Sequence, residues 1–599
     1  APAATTIGIA GSVRDHPDLD DVIGYFLNTL PLSVTVDRGA TIAERVADVE
    51  GALAASLRHR HVPYHEIVSA RRANGDREPD PISVLFVVDE TFDASFGDAE
   101  VTSDLVHNGT AVAPLTVFVR PVADGFEASA EWDTTQFDGT RVAAFLDSFT
   151  TLTDWASRHP GELVPDTLLA DDAVGPALAT PARTIVDAID GNAADSESLA
   201  VRCGDQRLSW GELRDRTDRW ARALADREIG RGDRVVVALP RSVDLIVAIV
   251  GVLRSGACVV PIDAASPTAH VAAVIDATSA TLAIDPALAQ ELDDDAPSDS
   301  APGSRPRPDD DAYVIFTSGS TGRPRGVPVG HRELMASTSA RLDRYAERPS
   351  AYLLTSSIGF DSSAAGLYWT LLVGGSLVIP TDEEVHDIDA LLALADDASI
   401  SHLLTVPTLY DALLRRDPQR LGSLQRAIVA GEACPPAVAR RHHAVLPTAE
   451  LTNEYGPSEA TVWAAAHDVA LADDPVPIGR PIPGVRLRVV DRSMRARPPG
   501  LTGELAIAGP GVTRGYLDDD DATADSFTTD SDGIRWYRTG DLVHRDGDVF
   551  TFLGRVDHQL SIGGVRLEPE EIESVIVSVP GVTAAIVRAE RRLPGAALS

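Results

Sequence analysis

Apolar residues recur every three to four positions over 40–58, where Ile42, Val46, Val49, Leu53 and Leu57 mark one face. That spacing predicts a helix. Upstream, 22–32 runs apolar, then turn-like, then strand-like, and the apolar run 81–88 predicts a buried strand. From about residue 183 the pattern becomes an alternation of strands and helices. A helix is predicted over 210–228 with Leu213, Trp220 and Leu224 inward, and a strand over 234–239. A second helix, 243–255, stops at Gly256, and a strand follows over 258–262. This rhythm predicts a mostly parallel sheet covered by helices. Residues 160–182, with several Pro and Asp, read as a linker, and 291–311, acidic and Pro/Ser-rich, as an exposed loop. No fixed-period repeat is evident.

The length of 599 residues allows roughly four domain-sized units, or fewer large ones. Hydrophobic residues make up 44 %, enough for sizeable cores. The net charge of −38 repels phosphate backbones and anionic lipid, which argues against nucleic-acid and membrane partners. All 52 basic residues are arginine. Excess acid with Arg in place of Lys reads as a protein of a salt-loaded cytoplasm, haloarchaeal in type, where screening removes most self-repulsion. GC-rich codon usage is the plainer reading, and both can hold. Cys203, Cys258 and Cys434 lie far apart and form neither a CxxC pair nor a disulfide framework. The adjacent His442 and His443 read as a solvated surface feature. The longest apolar stretches, such as 245–253, are too short to span a bilayer, and no N-terminal secretory pattern is present. The chain is expected to be soluble and cytoplasmic.

The segment Tyr313-Val314-Ile315-Phe316 followed by Thr317-Ser318-Gly319-Ser320-Thr321-Gly322-Arg323-Pro324-Arg325-Gly326 carries the sharpest chemical signal. An apolar strand enters a loop whose glycines let backbone N–H groups converge on an anion, while its hydroxyls add donors. It is not a Walker loop, because GxxxxGK[ST] is absent. Alone it reads equally as a phosphate cradle or a flexible turn. Further on come Asn453-Glu454-Tyr455-Gly456-Pro457-Ser458-Glu459, Gly503-Glu504-Leu505, Tyr537-Arg538-Thr539-Gly540-Asp541-Leu542 and Gly554-Arg555-Val556-Asp557. Singly, Tyr455 reads as a core aromatic, Glu459 as a helix N-terminal acid and Asp541 as a turn former.

Together, and with Leu208-Ser209-Trp210-Gly211-Glu212-Leu213 upstream, this ordered series over 205–573 resembles the adenylate-forming (AMP-binding) superfamily. Within it, the chain is similar to the amino-acid adenylation domain of nonribosomal peptide synthetases. The resemblance implies an α/β fold: a large core of helix-covered sheets over 183–556 and the start of a small C-terminal subdomain over 557–599. It implies ATP-dependent formation of an aminoacyl-adenylate, with release of pyrophosphate and Mg²⁺ as cofactor. Thr317, Ser318, Thr321, Arg325, Glu459 and Arg555 would act on the phosphates, with Glu459 as the Mg²⁺ ligand. Gly319, Ser320, Gly322, Gly431, Asn453, Tyr455, Gly456, Ser458, Asp541 and Phe552 would contact the nucleotide, Tyr455 stacking on adenine and Asp541 accepting from the ribose hydroxyls. Asp557 would be the hinge.

By the same resemblance, Asp361 in Gly359-Phe360-Asp361-Ser362-Ser363 would pair with a substrate α-ammonium, which separates the amino-acid branch from acyl-activating relatives. Ser362, Ala365, Thr405, Ile428, Ala430, Glu454, Val462 and Trp463 would line the side-chain pocket. Glu454 reads either as a carboxylate facing a basic or hydroxylated side chain or as a solvated acid.

In the first block, 6–14, 23–30 and 61–66 resemble the second half of a condensation domain, an acyltransferase-like fold, expected over 1–160 with a linker over 161–182. The family's HHxxxDG motif is not found, so this block is expected not to form peptide bonds. The chain is expected to be an internal piece of a larger synthetase, whose phosphopantetheine-bearing carrier domain and other modules would be its partners. It departs from the family where Arg325 and Ser561 stand in place of lysines and Phe552 in place of a tyrosine. The lysine of the family's last motif has no counterpart, so weak activity is expected of this chain alone. Two rival readings are an aryl- or acyl-acid adenylating enzyme, which Asp361 opposes, and a non-catalytic adenylation-like scaffold.

Overall fold

The computed structural model describes residues 4–14, 16–19, 22–36, 39–75, 82–88, 109–122, 125–165, 168–169, 172–179, 181–192, 194–294, 305–317, 325–556, 560–562, 565–567, 572–573, 576 and 585–587. The chain divides into two compact units: 1–171 with 494–501, and 172–493 with 502–599.

The first unit is built on a mixed sheet in the order Leu27–Thr35, Ala4–Ser12, Val84–Val88, Leu115–Val122, Gly125–Trp132. Its core gathers Leu115, Val117 and Val142, the last from the helix Gly139–Arg158. The helix Ile42–Arg58 forms as its periodicity predicts, and Thr41 with Glu44 closes a capping box over its first turn. Its apolar stripe is only partly covered by described residues: Ile42 and Leu53 are half-buried, none of the helix is fully buried, and Val46 and Val49 are exposed.

In the second unit the predicted alternation is present. A five-stranded sheet runs Leu282–Ile284, Arg234–Val237, Cys258–Pro261, Asp311–Thr317, Arg325–Gly330, parallel except for the last pair. A nine-stranded sheet has Leu199–Cys203, Ser376–Ile379, Ala351–Leu353, His402–Thr405, Arg426–Val429 and Glu450–Tyr455 as a continuous parallel run. The helix Val243–Ser255 touches strands of both sheets, which explains why it is apolar on all sides: every residue but Asp244 is buried. Ser242 caps its start, and Gly256 ends it at φ +88°, a conformation that glycine adopts without steric cost. Each fully buried Leu or Ile along it contributes about 1.5–3 kcal/mol. A third, antiparallel sheet carries Thr502–Ala508, Arg535–Asp546 and Val549–Arg555. Among the described residues no helix is long and apolar enough to cross a membrane.

Three expectations are corrected. Ala173–Val174, read as linker, is an edge strand of the third sheet paired with Arg486–Val490, and Asp172 forms an ion pair with Arg488 at 2.6 Å. The expected loop 291–311 begins inside the helix Pro286–Asp294 and ends in the strand that starts at Asp311. His442 is fully buried rather than solvated, because the helix Pro436–Val445 turns it inward between the Tyr410 hydroxyl (2.7 Å) and the Ala449 carbonyl (2.8 Å). All three cysteines are free and buried.

Candidate active site

The strands Asp311–Thr317 and Arg325–Gly330 are antiparallel neighbours, with Thr317 opposite Arg325. The two ends of the hydroxyl- and glycine-rich loop are therefore held side by side. Ser318, Gly319, Ser320, Thr321 and Gly322 lie outside the described residues. Arg325 places its Nε 3.7 Å from Asp519 Oδ2 and its guanidinium carbon 5.5 Å from the centre of the Tyr516 ring. The Tyr516 hydroxyl in turn donates to Glu459 Oε1 at 2.7 Å. Glu459 sits in the single turn Ser458–Ala460 with 1 % of its surface exposed. Tyr516 thus joins Arg325 to Glu459, and sequence reasoning missed it: no motif marks it, and it lies 57 residues from Glu459.

A second cluster forms where the strand Glu450–Tyr455 ends. The Tyr455 hydroxyl donates to Asp541 Oδ2, and Arg555 Nη1 donates to Oδ1 of the same carboxylate at 2.5 Å. Asp541 and Arg555 face each other across the pairing of Arg535–Asp546 with Val549–Arg555. Burial, followed by the Asp541 charge, pushes the Tyr455 phenol well above its ordinary pKa, so it stays a donor. Phe552 lies on the same strand as Arg555 and is half-buried opposite Val543. Gly456 is demanded by close approach: a Cβ there would come within 2.3 Å of Trp463 Cα. Gly431 takes φ +81°. Asn453 is buried, and its amide donates to the Pro477 carbonyl at 2.7 Å, so its side chain holds a neighbouring turn. Asp557 lies outside the described residues.

The expected pocket residues come from adjacent elements. Thr405 and Ile428 belong to neighbouring parallel strands, with Thr405 level with Val429 and Val429 level with Asn453. Ala430 and Glu454 follow at the carboxyl ends, where ligands of open parallel sheets collect. Asp361 precedes the helix Ser362–Val373, and Ala365 lies one turn into it. Val462 adopts φ +78°, directly after Thr461 at φ +56°. For a β-branched residue this is strained backbone of the kind that clusters at binding sites. Trp463 is buried and donates from Nε1 to the Ser337 carbonyl at 3.1 Å.

Glu454 corrects the solvated reading. Only 3 % of it is exposed, and both its oxygens are held by Arg341, at 2.5 and 2.8 Å, while Tyr345 donates to Oε1 at 2.6 Å. The basic and hydroxyl partners are supplied by the chain itself. Nothing local in the sequence marks Arg341, which lies 113 residues from Glu454.

A family model for AMP-binding enzymes matches residues 190–517, more than half of the chain. The chain belongs to the AMP-binding enzyme family. A condensation-domain model matches residues 3–178 ahead of it. The chain is 32 % identical over 609 residues to the nonribosomal peptide synthetase CymA of Salinispora arenicola, covering 97 % of this chain and 8 % of that protein. It is also 32 % identical over 638 residues to phosphinothricin tripeptide synthetase PhsC of Streptomyces viridochromogenes, covering 99 % of this chain and 58 % of that protein. Between these two relatives the chain thus spans from under a tenth to just over half of the full length. Among solved structures it is similar to the nonribosomal peptide synthetase FmoA3 in its alpha-methyl-L-serine-AMP bound form. There the TM-score is 0.78 at 27 % identity, over 92 % of this chain and 67 % of the other. This AMP-binding family member therefore has a mixed α/β adenylate-forming fold, preceded by condensation-domain sequence.

Proposed function

We propose that this chain activates an amino acid as its aminoacyl-adenylate, for transfer to the phosphopantetheine thiol of a carrier domain in a cytoplasmic nonribosomal peptide synthetase. The observation that carries the reading is the convergence of Tyr455 and Arg555 on the two oxygens of Asp541. This gives a partly exposed aromatic ring beside a carboxylate and a cation, the set that a purine, a ribose and a phosphate require. A carboxylate oxygen of the amino acid attacks the α-phosphorus of ATP, the bond from that phosphorus to the α,β-bridging oxygen breaks, and the β- and γ-phosphates leave together as pyrophosphate. Asp541 accepts from the ribose hydroxyls, and Tyr455 offers its face to adenine. Thr317 and Arg325, with the loop between them, hold the phosphates. Asp361 holds the α-ammonium, which favours amino acids over plain carboxylic acids. Ser458 and Gly456 shape the turn between the aromatic and the acid.

Among the described residues no group of three or more His, Cys, Asp or Glu could hold a metal ion. Mg²⁺ fits nonetheless, because it binds through one or two carboxylates and takes substrate phosphates and waters for the rest. Glu459 would supply that carboxylate, and the ion would neutralise phosphate charge. With no lysine in the chain, cationic stabilisation by side chains falls to arginine, a planar fork rather than a point charge. In line with that, catalysis by this chain alone is expected to be weak. Asp557 would serve as the hinge for the small subdomain before thiol loading.

The test is amino-acid-dependent exchange of pyrophosphate into ATP, beside ATP binding, in molar KCl across the standard amino acids. Exchange with an amino acid supports the reading. ATP binding with no exchange for any amino acid would favour a non-catalytic module. Exchange driven by an aryl or fatty acid would move the substrate class.

A further inference from the structure

Arg341 belongs to none of the sets assembled from motifs, yet it sits where two expected pocket residues meet. It lies in the helix His331–Arg344 with its side chain 1 % exposed. Its guanidinium grips Glu454 with two parallel hydrogen bonds and lies 4.2 Å from the centre of the Trp463 ring and 5.8 Å from that of Trp369. Trp369 follows Ser362 and Ala365 at the i, i+3, i+7 spacing of one helix stripe. The stripe is roughly 10 Å long at 1.5 Å per residue. On the adenylation reading, a substrate held by its ammonium at Asp361, with its side chain running along this stripe past Ser362 and Ala365, would end toward Trp369, Trp463 and the Arg341–Glu454 fork.

We propose that Arg341 is a specificity-determining residue: with Glu454 it forms a neutral polar floor to the side-chain pocket, which restricts the activated amino acid to an uncharged side chain. This rests on the adenylation reading given above. Glu454 on its own points to a cationic substrate, and Arg341 cancels that charge. The layer behind the floor is balanced too: Arg426 pairs with Glu347 at 3.0 Å and Arg344 with Asp468 at 2.6 Å. These two pairs add no net charge beside the fork. A cation entering the pocket competes with Arg341 for the same carboxylate, and an anion meets Glu454. Either leaves a buried charge without its partner, which is the costly state of an ion pair. A carboxylate has about four acceptor sites, and Arg341 and Tyr345 fill three on Glu454. The fourth suits a neutral hydroxyl or amide donor.

The experiment uses the full chain in two stages. ATP binding is measured first by calorimetry. Selectivity is then measured with non-hydrolysable aminoacyl-sulfamoyl adenosines carrying alanyl, seryl, glutaminyl, ornithyl and glutamyl groups. At least one uncharged analogue is expected to bind about 10- to 100-fold tighter than the ornithyl and glutamyl analogues. Arg341→Met exposes Glu454 and is expected to reverse the order in favour of ornithyl, while Arg341→Met with Glu454→Gln restores preference for uncharged groups. A merely structural Arg341 would weaken all analogues alike and leave their order unchanged. If Arg341→Met does not fold, Glu454→Gln alone leaves an uncancelled guanidinium and is expected to raise glutamyl binding. A chain that binds no ATP overturns the adenylation reading, and this inference with it. A chain that binds ATP but prefers ornithyl or glutamyl, or whose order survives the substitutions, overturns this inference alone.

Discussion

Arg555 Nη1 donates to Asp541 Oδ1 at 2.5 Å across the antiparallel register in which the two residues face one another. The Tyr455 hydroxyl occupies the other carboxylate oxygen, so one acid ties the end of the parallel sheet to the third sheet. Ribose hydroxyls accepted by Asp541 would exchange with these internal donors. Asp541→Ala is therefore expected to weaken ATP binding about 10- to 100-fold, the range for losing hydrogen bonds to a charged group. Arg555→Ala is expected to cost less, since it leaves the acceptor in place. Calorimetric titration of both variants with ATP checks the order.

Glu459 is buried and shares an oxygen with the Tyr516 hydroxyl. Glu459→Gln keeps an acceptor for that hydroxyl and removes the negative charge a divalent cation needs. The wild-type chain is expected to bind ATP more tightly with Mg²⁺ than with EDTA, and the variant to lose that difference. Its unfolding midpoint should move by no more than about 2–4 °C. A variant that keeps the full Mg²⁺ effect would place the metal ligand elsewhere.

What could be read from the sequence divides along contact distance. The helix Val243–Ser255 matches its predicted span to the residue, because its cap, its apolar content and its terminating glycine are all local. Tyr455, Glu459 and Asp541 stood out because each sits in a short motif whose ordered recurrence resembles a family. Tyr516 and Arg341 stood out in no such way. Their partners lie 57 and 113 residues off, and no local pattern encodes an approach made only by the finished sheets. The two-residue strand Ala173–Val174 failed for the same reason: its strand character comes from Arg486 and Leu487, not from its own composition. His442 misled because two adjacent histidines in an acidic chain look solvated, whereas the helix face decides which one is buried.

Burial lowers the pKa of three histidines in the second unit, His331, His402 and His442, and the first two furthest. Burial lowers His331 to about 4, and among the described residues neither of its ring nitrogens has a hydrogen-bond partner. Burial, with the Arg426 charge added, lowers His402 to about 4, where its ring also meets the edge of Trp369. Both bind a proton more readily unfolded, near pH 6.5, than folded. Their contribution is thus complete above about pH 6.5 and is lost as pH falls toward 4, on the order of 3 kcal/mol per histidine at most. Thermal unfolding between pH 7 and 4 should show a falling midpoint. His402→Gln should flatten that slope, and an unchanged slope would remove His402 from the account.

The charge composition predicts the opposite salt response from that of a protein held together by surface ion pairs. Exposed pairs such as Arg416 with Asp389 and Arg332 with Asp309 are each worth about 0–1 kcal/mol and weaken as salt is added. Even if every arginine were paired, the net charge of −38 would remain on the chain. That excess repels itself over a Debye length of about 10 Å at 0.1 M salt and only about 3 Å at 1 M. Relief of repulsion is expected to outweigh the loss of the pairs, so the unfolding midpoint should climb as KCl rises from 0.1 M to above 1 M. The buried Arg341–Glu454 pair lies out of reach of screening, and the gain should persist in Arg341→Met with Glu454→Gln. A midpoint that falls with KCl would show that the surface pairs dominate, and would leave GC-rich codon usage as the explanation for the absence of lysine.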